Sequence, residues 1–323
     1  MIIIKKNKFL IVYSSIIILF SLFILWDTFL NTKVYQVVSN TKTINEIDKD
    51  NNSSKSKKNS LNKKRNKDKT SNINTDSNTT EKSTTNNSYK DKNIEIKLTE
   101  YFENDTKIYV ADIILNNSKY LKTAFANYSY GKNVTDYTSS ISKSVNAILA
   151  INGDYYGVQE KGYVLKQGVI YRNTPSDRED LVIYSDGSFS IINEKDISLE
   201  KLLENGAYNI LSFGPALIDN NKICVSETDE VGKSMASNPR TSIGIIDKNH
   251  YVFVVSDGRT TESEGLSLYE LATFMKSLNC TIAYNLDGGG SSTMYFNGNI
   301  INNPTTTGSI KERKVSDIVY IGY

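Results

Sequence analysis

Hydrophobic positions fall into three regimes along this chain. From Phe9 to Leu30 they form one run, interrupted only by Ser14, Ser15, Ser21, Asp27 and Thr28. A helix crosses a bilayer core with about 20 apolar residues, and the run nearly supplies them before Trp26. From Ser39 to Lys92 apolar residues almost vanish, leaving Ile44, Ile47, Leu61 and Ile73 among Asn, Ser, Thr and Lys. Such a stretch cannot bury enough surface to offset the entropy of ordering it. From Ile94 onward the chain alternates in period two (Ile94, Ile96, Leu98, then Ile108, Val110, Ile113) around the turn Glu103-Asn104-Asp105, which predicts paired strands.

Further hairpins are predicted at Lys166-Gln167-Gly168, Ser185-Asp186-Gly187 and Asn297-Gly298-Asn299, because Asp-Gly and Asn-Gly between alternating runs favour tight turns. Ala147–Ile151 reads as a buried strand, preceded by a short helix over Thr138–Ser144. Another helix covers Ser198–Glu204, ended by Asn205-Gly206. A third begins at Ser267, with Glu270 completing a capping box and Leu268, Leu271, Ala272, Met275 and Leu278 forming a helical stripe. The expected fold is α+β: a single domain of mixed and antiparallel strands with a few helices.

The domain plan is a cytoplasmic tail (1–8), a transmembrane signal-anchor (9–30), a disordered linker (31–92) and one folded domain (93–323). Lys5, Lys6 and Lys8 precede the apolar run and only Lys33 follows closely, placing the N-terminus in the cytoplasm and the domain outside the cell membrane. The alternative is a cleaved signal peptide, but no Ala-x-Ala-like site follows the run. The basic block Lys55–Lys69 could touch anionic wall polymers or lipid headgroups, or act as a plain soluble spacer.

Charge divides along the same boundaries. The chain holds 38 basic and 36 acidic side chains, with 17 and 8 of them before residue 93, so the folded part is net acidic by 7. That argues against nucleic acid as a partner, and no protein partner is implied. Cys224 and Cys280 are the only cysteines, enough for one disulfide outside the membrane but not for a disulfide framework. The sole histidine, His250, falls in a turn and is expected in solvent. One histidine rules against a Ser-His-Asp triad, a Cys-His pair and the common zinc hydrolases, leaving carboxylates, amides, arginines and tyrosines for any chemistry.

Four segments at strand ends are more polar than a plain turn requires. They are Asn152-Gly153-Asp154-Tyr155-Tyr156, Asn238-Pro239-Arg240-Thr241, Asp257-Gly258-Arg259 with Glu262–Gly265, and Asp287-Gly288-Gly289-Gly290-Ser291. Each alone reads as a turn. Together they combine paired carboxylates, which suit chemistry at an anomeric carbon, with arginines and a glycine-rich backbone suited to an anion. Ser291–Phe296 reads as strand, so the glycine run is no P-loop.

With Ala150–Tyr156, Phe213–Leu217, Asn238–Gly244 and Asn285–Ser292, these segments resemble the ordered motifs of the bacterial phosphodiester glycosidase family over roughly residues 94–323. That family is similar to the catalytic domain of a mammalian lysosomal enzyme that removes N-acetylglucosamine from a sugar-1-phosphodiester. One departure stands at Asp154, where the family's first motif commonly has glycine, and tyrosines follow in place of phenylalanines. The resemblance implies hydrolysis of a sugar-1-phosphodiester, in a cell-envelope polymer or exopolysaccharide. Asp257 and Asp287 are assigned as the catalytic carboxylates. Arg240 and Arg259 are expected to clamp phosphate with Thr241 and the N–H groups of Gly288, Gly289, Gly290 and Ser291, while Asn152 and Asp154 hold sugar hydroxyls. No cofactor is required, although a divalent cation such as Ca²⁺ fits one alternative, a phosphodiesterase using Asp154, Asp257 and Asp287 as ligands. The other alternative is a carbohydrate- or wall-polymer-binding module without turnover.

Overall fold

A computed structural model of the chain describes residues 2–38, 82–229 and 237–323. Every hairpin signal is realised. Asn104 and Asp105, both at φ near +50°, turn Ile94–Glu103 into Thr106–Leu115. The predicted turns join Val164–Lys166 to Val169–Arg172, Glu179–Tyr184 to Phe189–Asn193, and Met294–Phe296 to Asn299–Ile300.

The larger sheet has nine antiparallel strands. Its order is Lys222–Ile223, Ala216–Asp219, Ile282–Asn285, Arg240–Asp247, His250–Ser256, Thr106–Leu115, Ile94–Glu103, Ser88–Lys90 and Ser83–Thr84. A second sheet has five: Asn299–Ile300, Met294–Phe296, Leu149–Asn152, Asp317–Ile321 and Leu121–Phe125. Their inner faces meet in one core, where Ile96, Ile113, Phe253 and Tyr284 of the first pack with Leu149, Ile151, Phe296 and Val319 of the second. A three-stranded sheet built on Glu179–Tyr184 closes the same core through Leu181, Ile183 and Leu211.

Each large sheet carries one helix on its outer face. Leu268–Ser277 lays Leu271, Ala272 and Met275 on Val252, Val254 and Ala283. Thr138–Ser144 lays Ile141 on Ala150 and Ile318. Both helices stand at the expected places, Leu268–Ser277 on its apolar stripe, and the Ser267–Glu270 capping box is formed. Leu199–Glu204 starts on the Ser198 cap. The α+β class with antiparallel sheets therefore holds.

Three local expectations need correction, and one open possibility is decided. Both ends of the expected linker are strands: Lys33–Val37 pairs with Ser129–Lys132, and Ser88–Lys90 pairs with Ile94–Glu103. Tyr89, lone among polar neighbours, is buried and donates to Asp91, a single anchor that no apolar pattern reveals. The rest of that linker, including Lys55–Lys69, lies outside the described residues. The two cysteines do not bridge, since Cys280 is buried under the Leu268–Ser277 helix while Cys224 is exposed. His250 is half-buried, its Nε2 2.6 Å from Asp112 Oδ1 on the neighbouring strand. Residues Gly289–Ser291 form a 3₁₀ turn, and the strand expected from Ser291 begins only at Met294.

Among the described residues one helical segment, Ile11–Leu30, is long and apolar enough to cross a membrane. Its apolar side chains are exposed all round, so the domain does not bury it. It ends against the domain, where the Asn133 side chain donates to the Thr28 and Asn31 carbonyls at 3.1 and 3.0 Å.

Truncating Leu271 to Ala should cost about 2–5 kcal/mol of stability, because the stripe is closely packed. Ser267→Ala should cost only about 1 kcal/mol, through the lost cap. Chemical denaturation of the full chain in detergent measures both, and equal costs would contradict the packing described.

Candidate active site

Antiparallel pairing brings the polar segments to one end of the nine-stranded sheet. Arg240 begins a strand flanked by His250–Ser256 and Ile282–Asn285, and it pairs with Ser256 while Ser242 pairs with Asn285. Asp257 and Asp287 therefore leave their strands on either side of the strand that Arg240 opens. From the facing sheet, the end of Leu149–Asn152 reaches the same place: Gly153 O accepts from Asp287 N at 3.4 Å, and Asn152 Nδ2 donates to Asp287 O at 2.6 Å.

Asp287 is the most constrained carboxylate there. Arg313 Nη2 lies 3.0 Å from Oδ1 and 2.9 Å from Oδ2, and Ser291 Oγ donates to Oδ2 at 2.6 Å. Arg313 Nε in turn donates to Ser291 Oγ at 2.8 Å. Burial pushes the carboxyl above the usual aspartate range, while the Arg313 charge and the Ser291 hydrogen bond oppose that rise. Arg313 itself keeps 42% of its side chain exposed, so one cation neutralises Asp287 and still faces solvent.

The glycines exist for close approach. Gly289 sits at φ +62° with its α-carbon against the Arg259 guanidinium, where a β-carbon would come within 3.0 Å of Nη2. At Gly290 a β-carbon would lie 2.3 Å from Thr306 Oγ1. Their expected role as a cradle of N–H donors is only partly available. Gly289 N donates to Pro239 O at 2.8 Å and Ser291 N to Gly288 O at 3.3 Å, so two of these donors already serve the loop.

Asp257 is held differently, by neutral donors. Its Oδ1 accepts from Asn302 Nδ2 at 3.1 Å and Asn303 N at 2.8 Å, and its Oδ2 from Tyr109 OH at 3.3 Å. Burial and the Asp257 charge raise the Tyr109 phenol, which stays a donor at neutral pH. Asn302 also donates to Ser292 O at 2.9 Å. One amide thus links Asp257 to the loop that carries Asp287.

A second charged cluster lies beneath. Lys166 Nζ is 2.8 Å from Asp317 Oδ2 and 3.3 Å from Asp154 Oδ2, with all three side chains buried. Asp317 Oδ1 accepts from Asp154 N at 2.8 Å, and Asp154 Oδ1 from Ser212 N at 3.1 Å. Burial pushes Asp317 up to about 6, against the pull of Lys166 and with a further push from Asp154. Burial also lowers the Lys166 ammonium, but the two carboxylates outweigh it and its pKa ends above the ordinary value.

Residues 145–322, more than half of the chain, match the phosphodiester glycosidase family. The chain belongs to this family. N-acetylglucosamine-1-phosphodiester alpha-N-acetylglucosaminidase of Homo sapiens is 34% identical over 123 residues, which cover 34% of this chain and 24% of that protein. The SPbeta prophage-derived uncharacterized protein YomE of Bacillus subtilis is 28% identical over 200 residues, 60% of this chain and 31% of its own length. The chain thus spans about a quarter to a third of the curated relatives it matches. The catalytic domain of the zebrafish enzyme shares the fold, with a TM-score of 0.57 at 20% identity over 71% of this chain and 83% of that one.

The four polar segments converge here, but not every residue expected to face a ligand does so. Asn152 is fully buried: its oxygen accepts from Thr241 Oγ1 at 2.8 Å and from Thr293 N at 3.2 Å. Asn152 and Thr241 therefore brace the loops instead of facing a sugar. Asp154 is committed to Lys166, Asp317 and the Ser212 amide. Arg240 turns inward, 3% exposed, with Nε on Leu266 O at 2.8 Å. Arg259 does face outward, its guanidinium held by Asn238 Oδ1 at 2.9 and 3.1 Å. Asp154, Asp257 and Asp287 each answer to separate partners, and among the described residues no three His, Cys, Asp or Glu side chains group as metal ligands.

Sequence reading missed Arg313, Asn302, Tyr109, Lys166 and Asp317. Arg313 hides in the charged run Lys311–Lys314, which resembles a solvated loop, and Lys166 hides in a hairpin signal. Asp317 had a usable signal, a carboxylate opening the apolar run Ile318–Ile321.

Lys166→Met should cost about 3–5 kcal/mol, because it leaves two buried carboxylates facing each other without their cation. Asp317 in the fold, at about 6, lies above the unfolded value of 3.8. The folded chain therefore keeps a proton that the unfolded chain has lost, and this group's contribution to stability falls as pH rises between those values. Removing the ammonium widens that window. Denaturation midpoints should show a larger deficit for Lys166→Met at pH 8 than at pH 5, and a deficit independent of pH would contradict the buried pairing.

Proposed function

We propose that the chain is a membrane-anchored hydrolase that cleaves sugar-1-phosphodiesters outside the cell, in envelope polymers or exopolysaccharide. The observation carrying this reading is Asp287: buried, bound by Arg313 and Ser291, on a loop whose Gly289 lies against Arg259, and joined to Asp257 through Asn302. Over the whole reaction, water's oxygen becomes bonded to the anomeric carbon and the bond from that carbon to the phosphodiester oxygen breaks. The electron pair leaves with the phosphate, and the water proton goes to a carboxylate and then to solvent. A phosphate monoester is a good leaving group, so no strong general acid is needed. That suits a site whose outward groups are arginines.

In this assignment Asp257 and Asp287 stabilise the cationic sugar, and one of them activates water or attacks directly. Arg259 takes one side of the phosphate. Arg313 takes the other in place of the buried Arg240, and each guanidinium brings a planar set of donors to the anion. The apolar segment Ile11–Leu30, preceded by Lys5, Lys6 and Lys8, holds the domain at the outer membrane surface in this reading.

Asp287→Asn should lower the release of reducing sugar from a sugar-1-phosphodiester at least about 100-fold, with an unchanged melting transition. Near-normal turnover in a folded variant would overturn the assignment, and binding of intact substrate by the wild type without release would favour a non-catalytic module. Turnover is expected to survive EDTA, since the three aspartates do not share a ligand sphere. Loss of turnover restored by Ca²⁺ would bring back the metal-dependent reading.

A further inference from the structure

A cleft of about 580 Å³ opens beside Asp257 and lies partly outside the family-matched residues. Its floor is apolar, made by Leu98, Tyr109, Val110, Met294 and Phe296. Its rim is uncharged and rich in amides and hydroxyls, with Thr85, Asn87, Thr99, Asn297 and Asn299 among them. The lining carries no lysine or arginine and a single carboxylate, Glu100. One wall is Thr84 with the Thr85–Asn87 turn, part of a hairpin that precedes the family-matched region.

Two further observations point to a ligand. Tyr109 lines the cleft and its hydroxyl donates to Asp257 Oδ2 at 3.3 Å, so one side chain separates the cleft from the proposed catalytic carboxylate. Asn297 Nδ2, on the cleft wall, is buried from solvent and has no hydrogen-bond partner. An unpaired buried donor costs about 1–3 kcal/mol, and a turn of the Asn297 side chain toward an acceptor in the cleft would relieve that cost.

We propose that this cleft is a subsite for the glycosyl side of the substrate, accepting neutral sugar units beyond the one attached to phosphate. This rests on the hydrolase reading given above. An apolar floor with a few placed amides suits a sugar, which has an apolar face and a rim of hydroxyls. The charge distribution gives the direction. Arg259 and Arg313 stand with the Asp287 loop, whereas the cleft offers no cation and a carboxylate that repels phosphate. The phosphate therefore lies toward Asp287, and a glycan of several uncharged units runs past Asp257 along Tyr109. The substrate class is a glycan longer than one sugar ending in a 1-phosphodiester.

The test uses the full chain in a detergent without a sugar headgroup. Paired substrates are the 1-(methyl phosphate) diesters of glucose, galactose and N-acetylglucosamine, each as a monosaccharide and as a tetrasaccharide. The tetrasaccharide of at least one pair should show kcat/KM raised tenfold or more, mainly through KM. Asn297→Ala should shrink that ratio, and Thr99→Tyr, which fills the cleft from a half-buried strand position, should bring it near one. Equal rates within all three pairs would overturn the subsite and leave the hydrolase reading standing. If no diester is cleaved but phosphate-free tetrasaccharide binds the wild type in ligand-observed NMR and not Thr99→Tyr, the cleft assignment survives and the reaction does not. Absence of both cleavage and binding overturns both. Competition by poly(glycerol phosphate) that disappears in Thr99→Tyr would place a phosphate chain in the cleft and overturn its assignment to neutral sugar.

Discussion

The arrangement of the site depends on one buried amide. Asn152 ends a strand of the five-stranded sheet, yet its side chain makes its bonds to the other layer and to the connecting loops. It donates to the Asp287 carbonyl and accepts from the Thr241 hydroxyl and the Thr293 amide. Facing sheets attract each other through non-directional apolar contact, which leaves them free to slide by fractions of an ångström. A fully buried amide with its oxygen and nitrogen both engaged fixes that freedom, because any slide exposes its donors and acceptors to an apolar interior. Asp287 stands at the end of this constraint, so its position follows from sheet packing and not from loop preference alone.

The carboxylates at 257, 287, 154 and 317 are each matched by a partner suited to its use. Asp257 is held by neutral donors from Asn302, Asn303 and Tyr109. Asp287 has a cation that remains half in water. The Asp154–Lys166–Asp317 cluster is sealed from solvent and carries one more negative than positive charge when fully ionised; burial first, and then the Asp154 charge, push Asp317 up to about 6. The first two arrangements can exchange a protein partner for a ligand. The third cannot without exposing charge to the core, so it reads as a foundation under the loop that contacts Asp287.

What was legible in the sequence was what local rules govern. The capping box at Ser267, the Asn104-Asp105 turn and the four polar strand ends announce themselves within a few residues. Residues whose meaning depends on distant partners were not legible. Lys166 sits at a hairpin turn but ends between carboxylates at positions 154 and 317, and Arg313 reaches back to 287 from a charged run. Arg240 and Asn152 have the right chemistry for a ligand site, but their neighbours use it up. A side chain's type shows which bonds it can make, and only the fold decides whether a neighbour or a substrate receives them.

Asp154 shows how a departure from the family pattern is absorbed. In the resemblance drawn from motifs, glycine commonly stands at this place, and an added carboxylate in a buried loop would ordinarily be destabilising by several kcal/mol. Here it is held by the Ser212 amide and by Lys166, which also serves Asp317. With glycine at 154, the lysine and Asp317 would form a simple neutral pair. With aspartate, the same lysine is shared and the cluster gains a charge that burial resists. The cost is borne where the loop is anchored on both sides, by Gly153 to the Asp317 carbonyl and by Asn152 to Asp287. That placement keeps the extra charge below the reaction centre, where it can stiffen the loop without competing with Asp257 or Asp287 for the cationic sugar.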